Sequence, residues 1–198
     1  MLVLGITGGI GTGKGLATEF FRSRGATIID ADEIAHNLMQ PGSPLLPEMV
    51  AAFGREILGP DGSLDRRRLA RSVFGDPQAL ARLDAITHPA IKAEIEREIA
   101  STVGEGKTRI LCVVAPLLLE AGCRQMVDRL LVLVADEQER MRRVTARDGL
   151  TEQEVKERMS AQMPPCEQAR QADWVVDTTH GPAEAARQLE AVWQELNP

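Results

Sequence analysis

The chain has 198 residues, with 23 Lys and Arg against 29 Asp and Glu, for a formal net charge of −6. That length and a 43% hydrophobic content suffice for one α/β domain, or for a core with a small inserted lobe, rather than two independent domains. The acidic balance excludes a broad electrostatic grip on nucleic acid, and no apolar run approaches the ~18 residues of a membrane span.

The opening MLVLGITGG is too short and too uncharged at its front to be a signal peptide. Cys112, Cys123 and Cys166 have no metal-ligand spacing and cannot all pair, which fits a reduced, cytoplasmic setting. Cys112 sits in an apolar run and is expected to serve packing.

Residues 2–7 predict a buried strand and residues 16–24 a helix; between them runs GGIGTGKG, from Gly8 to Gly15. Strand, glycine-rich turn and helix together predict a phosphate-binding loop, because backbone N–H groups and a helix N-terminus converge on an anion. The spacing Gly8-x4-Gly13-Lys14 satisfies most of the Walker A pattern. Lys14 would reach the outer phosphates as a point charge, while Gly11 and Gly13 let the backbone approach them. The pattern then asks for Ser or Thr to ligate Mg²⁺; here that position is Gly15, and Thr12 lies on the wrong side of the lysine. A dinucleotide fingerprint fails, since its third glycine would fall on Lys14.

Residues 26–30 predict a second strand ending in Asp30-Ala-Asp32-Glu33, which delivers carboxylates at a C-terminal strand edge. Asp30 and Asp32 each have two readings, a catalytic base or the cap of a helix beginning near Glu33. From 36 to 103 no long apolar strand occurs, and the turns PGSP and GPDG separate helical patterns. Leu64, Leu69, Val73 and Phe74, then Leu80, Leu83 and Ile86, recur at helical spacing, so this stretch predicts a helical lobe. Its run Asp65-Arg66-Arg67-Arg68, with Arg71, is either a solvated helix face or a wall facing phosphate. His88-Pro89 predicts a helix break, with His88 a turn residue or a substrate contact.

Residues 108–115 and 129–135 predict two strands buried on both faces, and Pro116-Leu-Leu-Leu-Glu120 follows the first of them. Asp136-x-x-Glu139 has the form of a capping box opening a helix that carries Arg140, Arg142, Arg143 and Arg147 and ends at Asp148-Gly149. Thr151-x-x-Glu154 opens another helix, running to about Met163. This pair predicts a lid over phosphate; Arg143 and Arg147, four apart on one face, are either lid contacts or partners of Glu139 and its neighbours. Residues 174–178 and 183–196 predict a last strand and a closing helix. The expected architecture is α/β, a five-stranded, mainly parallel sheet with helices on both faces, organised as one domain. Its core is 1–35, 104–135 and 164–198, its helical substrate lobe 36–103 and its lid 136–163.

In this order GITGGIGTGK, IIDADEIAH, PGSPLL, GSLDRRRLARSVF, HPAI, PLLLE, ARDGLTEQEV and ADWVVD resemble segments of the dephospho-CoA kinase family, whose members phosphorylate the ribose 3′-hydroxyl of dephospho-CoA. The resemblance spans nearly the whole chain and implies ATP and Mg²⁺ as cofactors, dephospho-CoA as small-molecule partner and no nucleic acid or membrane. It implies Gly9, Gly11, Thr12, Gly13, Lys14, Gly15 and Leu16 as the ATP cradle and Asp32 as the base that takes the hydroxyl proton, with Asp30 beside it. Arg143 and Arg147 become lid contacts to ATP, with Arg143 and Lys14 acting on the transferring group. His88, Pro116, Leu117 and Glu120 fall in substrate-side segments. The chain departs from the family at Gly15, at Val113-Val114 and at Val134, where a hydroxyl and two acids are replaced. A catalytically impaired nucleotide- or CoA-binding relative, or a kinase for another nucleoside-containing cofactor, therefore stands beside the kinase reading. The sequence does not specify an oligomeric state.

Overall fold

The computed structural model describes residues 1–73, 76–106 and 108–196, so Phe74 of the helical pattern above lies outside the described residues. In chain order the elements are β1 (Leu2–Thr7), α1 (Lys14–Ser23), β2 (Thr27–Asp30), α2 (Ala31–Leu38), α3 (Leu45–Phe53), α4 (Arg66–Val73), α5 (Pro77–Glu105) and β3 (Ile110–Val114). They continue with β4 (Arg129–Val134), α6 (Glu137–Asp148), α7 (Glu152–Ser160), α8 (Pro165–Arg170), β5 (Trp174–Asp177) and α9 (Pro182–Leu196). The chain divides into two compact units, 1–29 with 101–198, and 30–100.

In the first unit the sheet order is β2-β3-β1-β4-β5. β1 pairs in parallel with β3, Leu4 opposite Cys112, and with β4, Ile6 opposite Leu131; β4 pairs in parallel with β5. Parallel neighbours need crossovers, and the helices supplying them cover the sheet, which is why β3 reads Ile-Leu-Cys-Val-Val and is buried at every position. The main core gathers Leu4, Ile6, Phe21, Cys112, Leu131, Leu133, Val176 and Leu189, with Trp193 packed at its margin. Phe21 is fully buried, its ring 6.1 Å from that of Trp193 and edge-on to Phe20 at 5.4 Å. Burial pushes the Cys112 thiol up to about 12, so this cysteine is a packing group.

Two aspartates close the strand entries in the same way. Just before β4, Asp128 donates its N–H to the Val3 carbonyl (2.8 Å) and accepts the Val3 N–H on its carboxylate (2.7 Å). Just before β5, Asp173 does the same to Leu130, at 2.9 and 2.8 Å.

The second unit is helical and packs around Leu45, Met49, Ile57, Leu69, Val73 and Ala79, with Leu64, Leu83 and Ile86 against them. Asp65 caps α4 through the N–H groups of Arg67 and Arg68, and Arg66, Arg67, Arg68 and Arg71 are exposed along that helix. The unit begins at Asp30, where β2 turns directly into α2, rather than at 36. At its far end α5 runs through residue 100 without a break, so no composition change marks the boundary.

The expected break at His88-Pro89 is absent: α5 is continuous from Pro77 to Glu105 with Pro89 inside it. Proline removes a single intrahelical donor, while Ala, Leu, Glu and Arg on both sides favour the helix. The helix expected to reach Met163 ends at Ser160, and a further short helix, α8, starts at Pro165, a proline suited to a first turn. We expect Phe21→Ala to cost about 3–5 kcal/mol of stability, read as a lower urea midpoint with an unchanged denaturant slope.

Candidate active site

The glycine-rich loop leaves the C-terminal end of β1, which is buried from Val3 to Thr7. Gly11 and Gly13 have φ of 79° and 85°, a left-handed backbone that side-chain-bearing residues resist. At Gly11 an added Cβ would also stand 2.8 Å from the Arg140 carbonyl oxygen. α1 starts at Lys14, so its first-turn N–H groups, which an α-helix leaves without i−4 acceptors, open onto the loop. Lys14 arches back over it, donating from Nζ to the carbonyls of Gly8 (2.7 Å) and Gly9 (3.2 Å). Thr12 is buried and turned inward, its hydroxyl donating to the Gly9 carbonyl at 2.8 Å.

Side chains from α6 and from the end of β5 hold this loop from outside. Arg140, only 6% exposed, donates from Nε to the Ile10 carbonyl at 2.8 Å; its burial lowers its pKa from the ordinary value. Arg143 donates to the Gly11 carbonyl (3.3 Å), the Thr178 hydroxyl (2.9 Å) and the Thr178 carbonyl (2.6 Å), and pairs with Glu139 at 2.8 Å. Thr178, also buried, donates its hydroxyl to the Thr12 carbonyl at 2.9 Å. Gln162, between α7 and α8, accepts the Ile10 N–H on Oε1 at 2.8 Å.

Arg147 does not join Arg143 on the loop. Its side chain is 66% exposed and forms a two-pronged ion pair with its neighbour Asp148, at 2.7 and 2.8 Å. Asp136 is the residue before α6, yet its side chain makes no cap hydrogen bond; its N–H donates to the Thr179 hydroxyl at 2.9 Å, while both Glu139 carboxylate oxygens turn to Arg142 and Arg143. The second box, Thr151 with Glu154, does form, and both of its reciprocal hydrogen bonds are present.

In the helical unit Asp30 takes the cap of α2, accepting the Asp32 N–H at 2.9 Å. This leaves Asp32 exposed in the first turn of α2, one turn before His36. His36 in turn contacts Arg66 through Nδ1 at 2.9 Å. His88 lies within α5 rather than in a turn, 3.5 Å from Asp84. Pro116 and Leu117 open the turn after β3, while Glu120 accepts the Met163 N–H at 2.9 Å through Oε1, its Oε2 buried without a hydrogen-bond partner.

A phosphate loop on a parallel sheet specifies a nucleotide-handling fold; comparison with known proteins specifies the family. The family model described as dephospho-CoA kinase matches residues 2–184. The chain belongs to the dephospho-CoA kinase family. A dephospho-CoA kinase of Syntrophotalea carbinolica is 42% identical over 198 residues, covering 100% of this chain and 93% of the relative. A crystal structure from Thermus thermophilus superposes with a TM-score of 0.81 at 35% identity, covering 100% of this chain and 98% of the other. The dephospho-CoA kinase of Campylobacter jejuni does so at 0.71 and 26%, covering 98% and 96%.

For a dephospho-CoA kinase the loop suits nucleotide phosphates: it offers backbone donors and a lysine ammonium, and Gly11 and Gly13 carry no side chain of their own. It does not build a protein site for Mg²⁺. Gly15 has no hydroxyl, Thr12 is committed to Gly9, and Thr18 donates to the Lys14 carbonyl at 2.9 Å. Among the described residues no group of three or more His, Cys, Asp or Glu is placed to hold a metal ion. An added Cβ at Gly15 meets no heavy atom within 4 Å, so the missing hydroxyl is not a consequence of crowding.

The site contains three residues that sequence reasoning passed over. Arg140 looked like one more lid arginine, and only its burial separates it from Arg142. Thr178 is the first hydroxyl after an apolar strand, a recognisable place for a loop contact. Gln162 carried no signal, because nothing local ties it to a loop 152 residues away.

We expect Gly11→Ala to impose about 1–3 kcal/mol of backbone strain, seen as a lower thermal midpoint together with weaker nucleotide binding. Glu139 offers a pH test: the Arg142 guanidinium first, then Arg143, holds its carboxyl down to about 2. A lowered value means that its contribution is complete above the ordinary 4.5 and is lost as pH falls through about 2. The thermal-midpoint gap between native chain and Glu139→Gln should therefore be constant above about pH 5 and close steadily below it.

Proposed function

We propose that the chain transfers the γ-phosphoryl group of ATP to the ribose 3′-hydroxyl of dephospho-CoA, releasing ADP and coenzyme A. The observation that carries the reading is the Lys14 loop, with its left-handed glycines and helix N-terminus, within a chain that the family model spans from residue 2 to residue 184.

In this reading Gly9, Gly11, Thr12, Gly13, Lys14, Gly15 and Leu16 form the ATP cradle, with backbone N–H groups from Gly11 onward facing the phosphates, and Lys14 swings from the Gly8 and Gly9 carbonyls to the outer phosphates. The Asp32 carboxylate takes the 3′-hydroxyl proton as the new O–P bond forms and the bond to the ADP oxygen breaks. Asp30 supports it by capping α2. Arg143 acts by holding the loop through Gly11 and Thr178, and Arg147 would have to leave Asp148 to reach nucleotide. His88, Pro116, Leu117 and Glu120 are assigned to the acceptor side, with Glu120 acting through the Met163 backbone. Mg²⁺, brought as the ATP complex, would supply positive charge to the phosphates; Gly15 offers it no hydroxyl, and this ion readily keeps water in place of a protein ligand. No helix among the described residues is long and apolar enough to cross a membrane; a cytoplasmic enzyme working on small molecules fits this reading.

Gly15 favours one competing reading, a nucleotide- or CoA-binding relative that turns over poorly. Asp32→Asn should lower kcat by about 10²- to 10⁴-fold, the usual reach of a general base, and leave ATP affinity near native; unchanged turnover would remove Asp32 from the base role. Gly15→Ser has the space it needs, and should lower the Mg²⁺ requirement by about 10- to 100-fold in assays of ADP release with product mass confirmed. Turnover by the serine variant alone would instead make the native chain a binding protein.

A further inference from the structure

One peptide segment of the phosphate loop is gripped from both sides by residues far away in sequence. The Ile10 carbonyl accepts from Arg140 Nε and the Ile10 N–H donates to Gln162 Oε1, each at 2.8 Å. The two side chains also close over the preceding residue. An added Cβ at Gly9 would lie 2.6 Å from Arg140 Nη2 and 3.1 Å from Gln162 Oε1.

Gln162 is itself held in place. The next residue, Met163, donates its N–H to Glu120 Oε1 at 2.9 Å, which fixes the 162–163 joint to the turn after β3. The second oxygen of Glu120 is also buried, without a hydrogen-bond partner. The segment leaving α7 is thus tied at one residue to the phosphate loop and at the next to the turn after β3.

We propose that Gln162 is a positioning residue for the phosphate loop: by holding the Ile10 N–H, it sets the orientation of the backbone leading into Gly11. The inference rests on the reading of this loop as the ATP cradle. Ile10 immediately precedes the residues whose N–H groups face phosphate, and left-handed glycines at 11 and 13 give the loop little stiffness of its own. Without the acceptor at 162 the loop samples more backbone states, and nucleotide binding must select among them.

The test is calorimetric titration of the full chain with Mg·ADP, comparing native protein, Gln162→Met and Gln162→Glu. Gln162→Met keeps the bulk and removes the acceptor; Gln162→Glu keeps an oxygen for the Ile10 N–H. The expected result is an affinity about fivefold to tenfold weaker for Gln162→Met, the equivalent of one part-buried hydrogen bond. Gln162→Glu should stay within about threefold of native, and stoichiometry and thermal midpoints should be unchanged. A role in fold stability alone would lower the binding-competent fraction and the midpoint, and leave the dissociation constant where it was. Native affinity in Gln162→Met, or equal losses in both variants, overturns the proposal. Absence of Mg·ADP binding by the native chain overturns both this inference and the kinase reading. The expected pattern in a native chain that does not phosphorylate dephospho-CoA defeats only the choice of acceptor.

Discussion

A loop that binds phosphate through its backbone has few side chains of its own to shape it. Every Cβ removed to let the backbone approach an anion also removes a constraint on φ and ψ, and the freed conformations must be suppressed by something else. Here Thr12 and Lys14 hold the first glycines from within, and the rest of the suppression comes from outside the loop: Arg140 on Ile10, Arg143 on Gly11, Thr178 on Thr12 and Gln162 on Ile10 again. The arrangement explains why α6 carries a buried arginine, an expensive group to desolvate unless its donors are used. It also changes the part played by the arginine helix, two of whose cations brace the loop rather than wait in solvent.

The helical unit shows a division between a carboxylate spent on the backbone and one left at the surface. Two aspartates two residues apart look equivalent in sequence, but a helix start needs only one cap. Asp30 fills that position and points its carboxylate at backbone, which leaves Asp32 in the following turn with its side chain exposed. The exposed arginines of α4 begin beside the same helix, Arg66 meeting His36 one turn beyond Asp32. Carboxylate, imidazole and guanidinium thus stand in sequence along one edge of the unit.

Much of this is legible in the amino-acid sequence. Uniform apolar runs marked β1, β3 and β4 because a sheet covered on both faces has no polar side. The order strand, glycines, lysine, helix marked the phosphate loop because few other uses require that succession. Features that depend on competition between partners were not legible. Glu139 has the spacing of a capping residue, yet it turns to two neighbouring guanidinium groups while the Thr179 hydroxyl takes the Asp136 N–H. Pro89 reads as a break, yet the helix formers on either side outweigh one lost donor. Arg143 and Arg147 share a spacing but not a destination, since Asp148 lies next to one and the loop beneath the other. Gln162 could not be found at all, because its meaning lies in a contact across nearly the whole chain.

The paired contacts of Asp128 and Asp173 bear on how the sheet avoids misalignment. In a half-exposed strand a slip of one residue turns polar side chains inward and is rejected at once. Strands such as β1 and β4, apolar on both faces, lose that safeguard, since a shifted alignment buries much the same surface. Each aspartate restores it by matching both polar groups of a single residue, Val3 in one case and Leu130 in the other, with a backbone N–H and a carboxylate. A shift by one position would forfeit both bonds together and strand a charge against the strand edge. The two side chains thus work as end stops, converting a sticky, nearly featureless set of strands into one with a single allowed alignment.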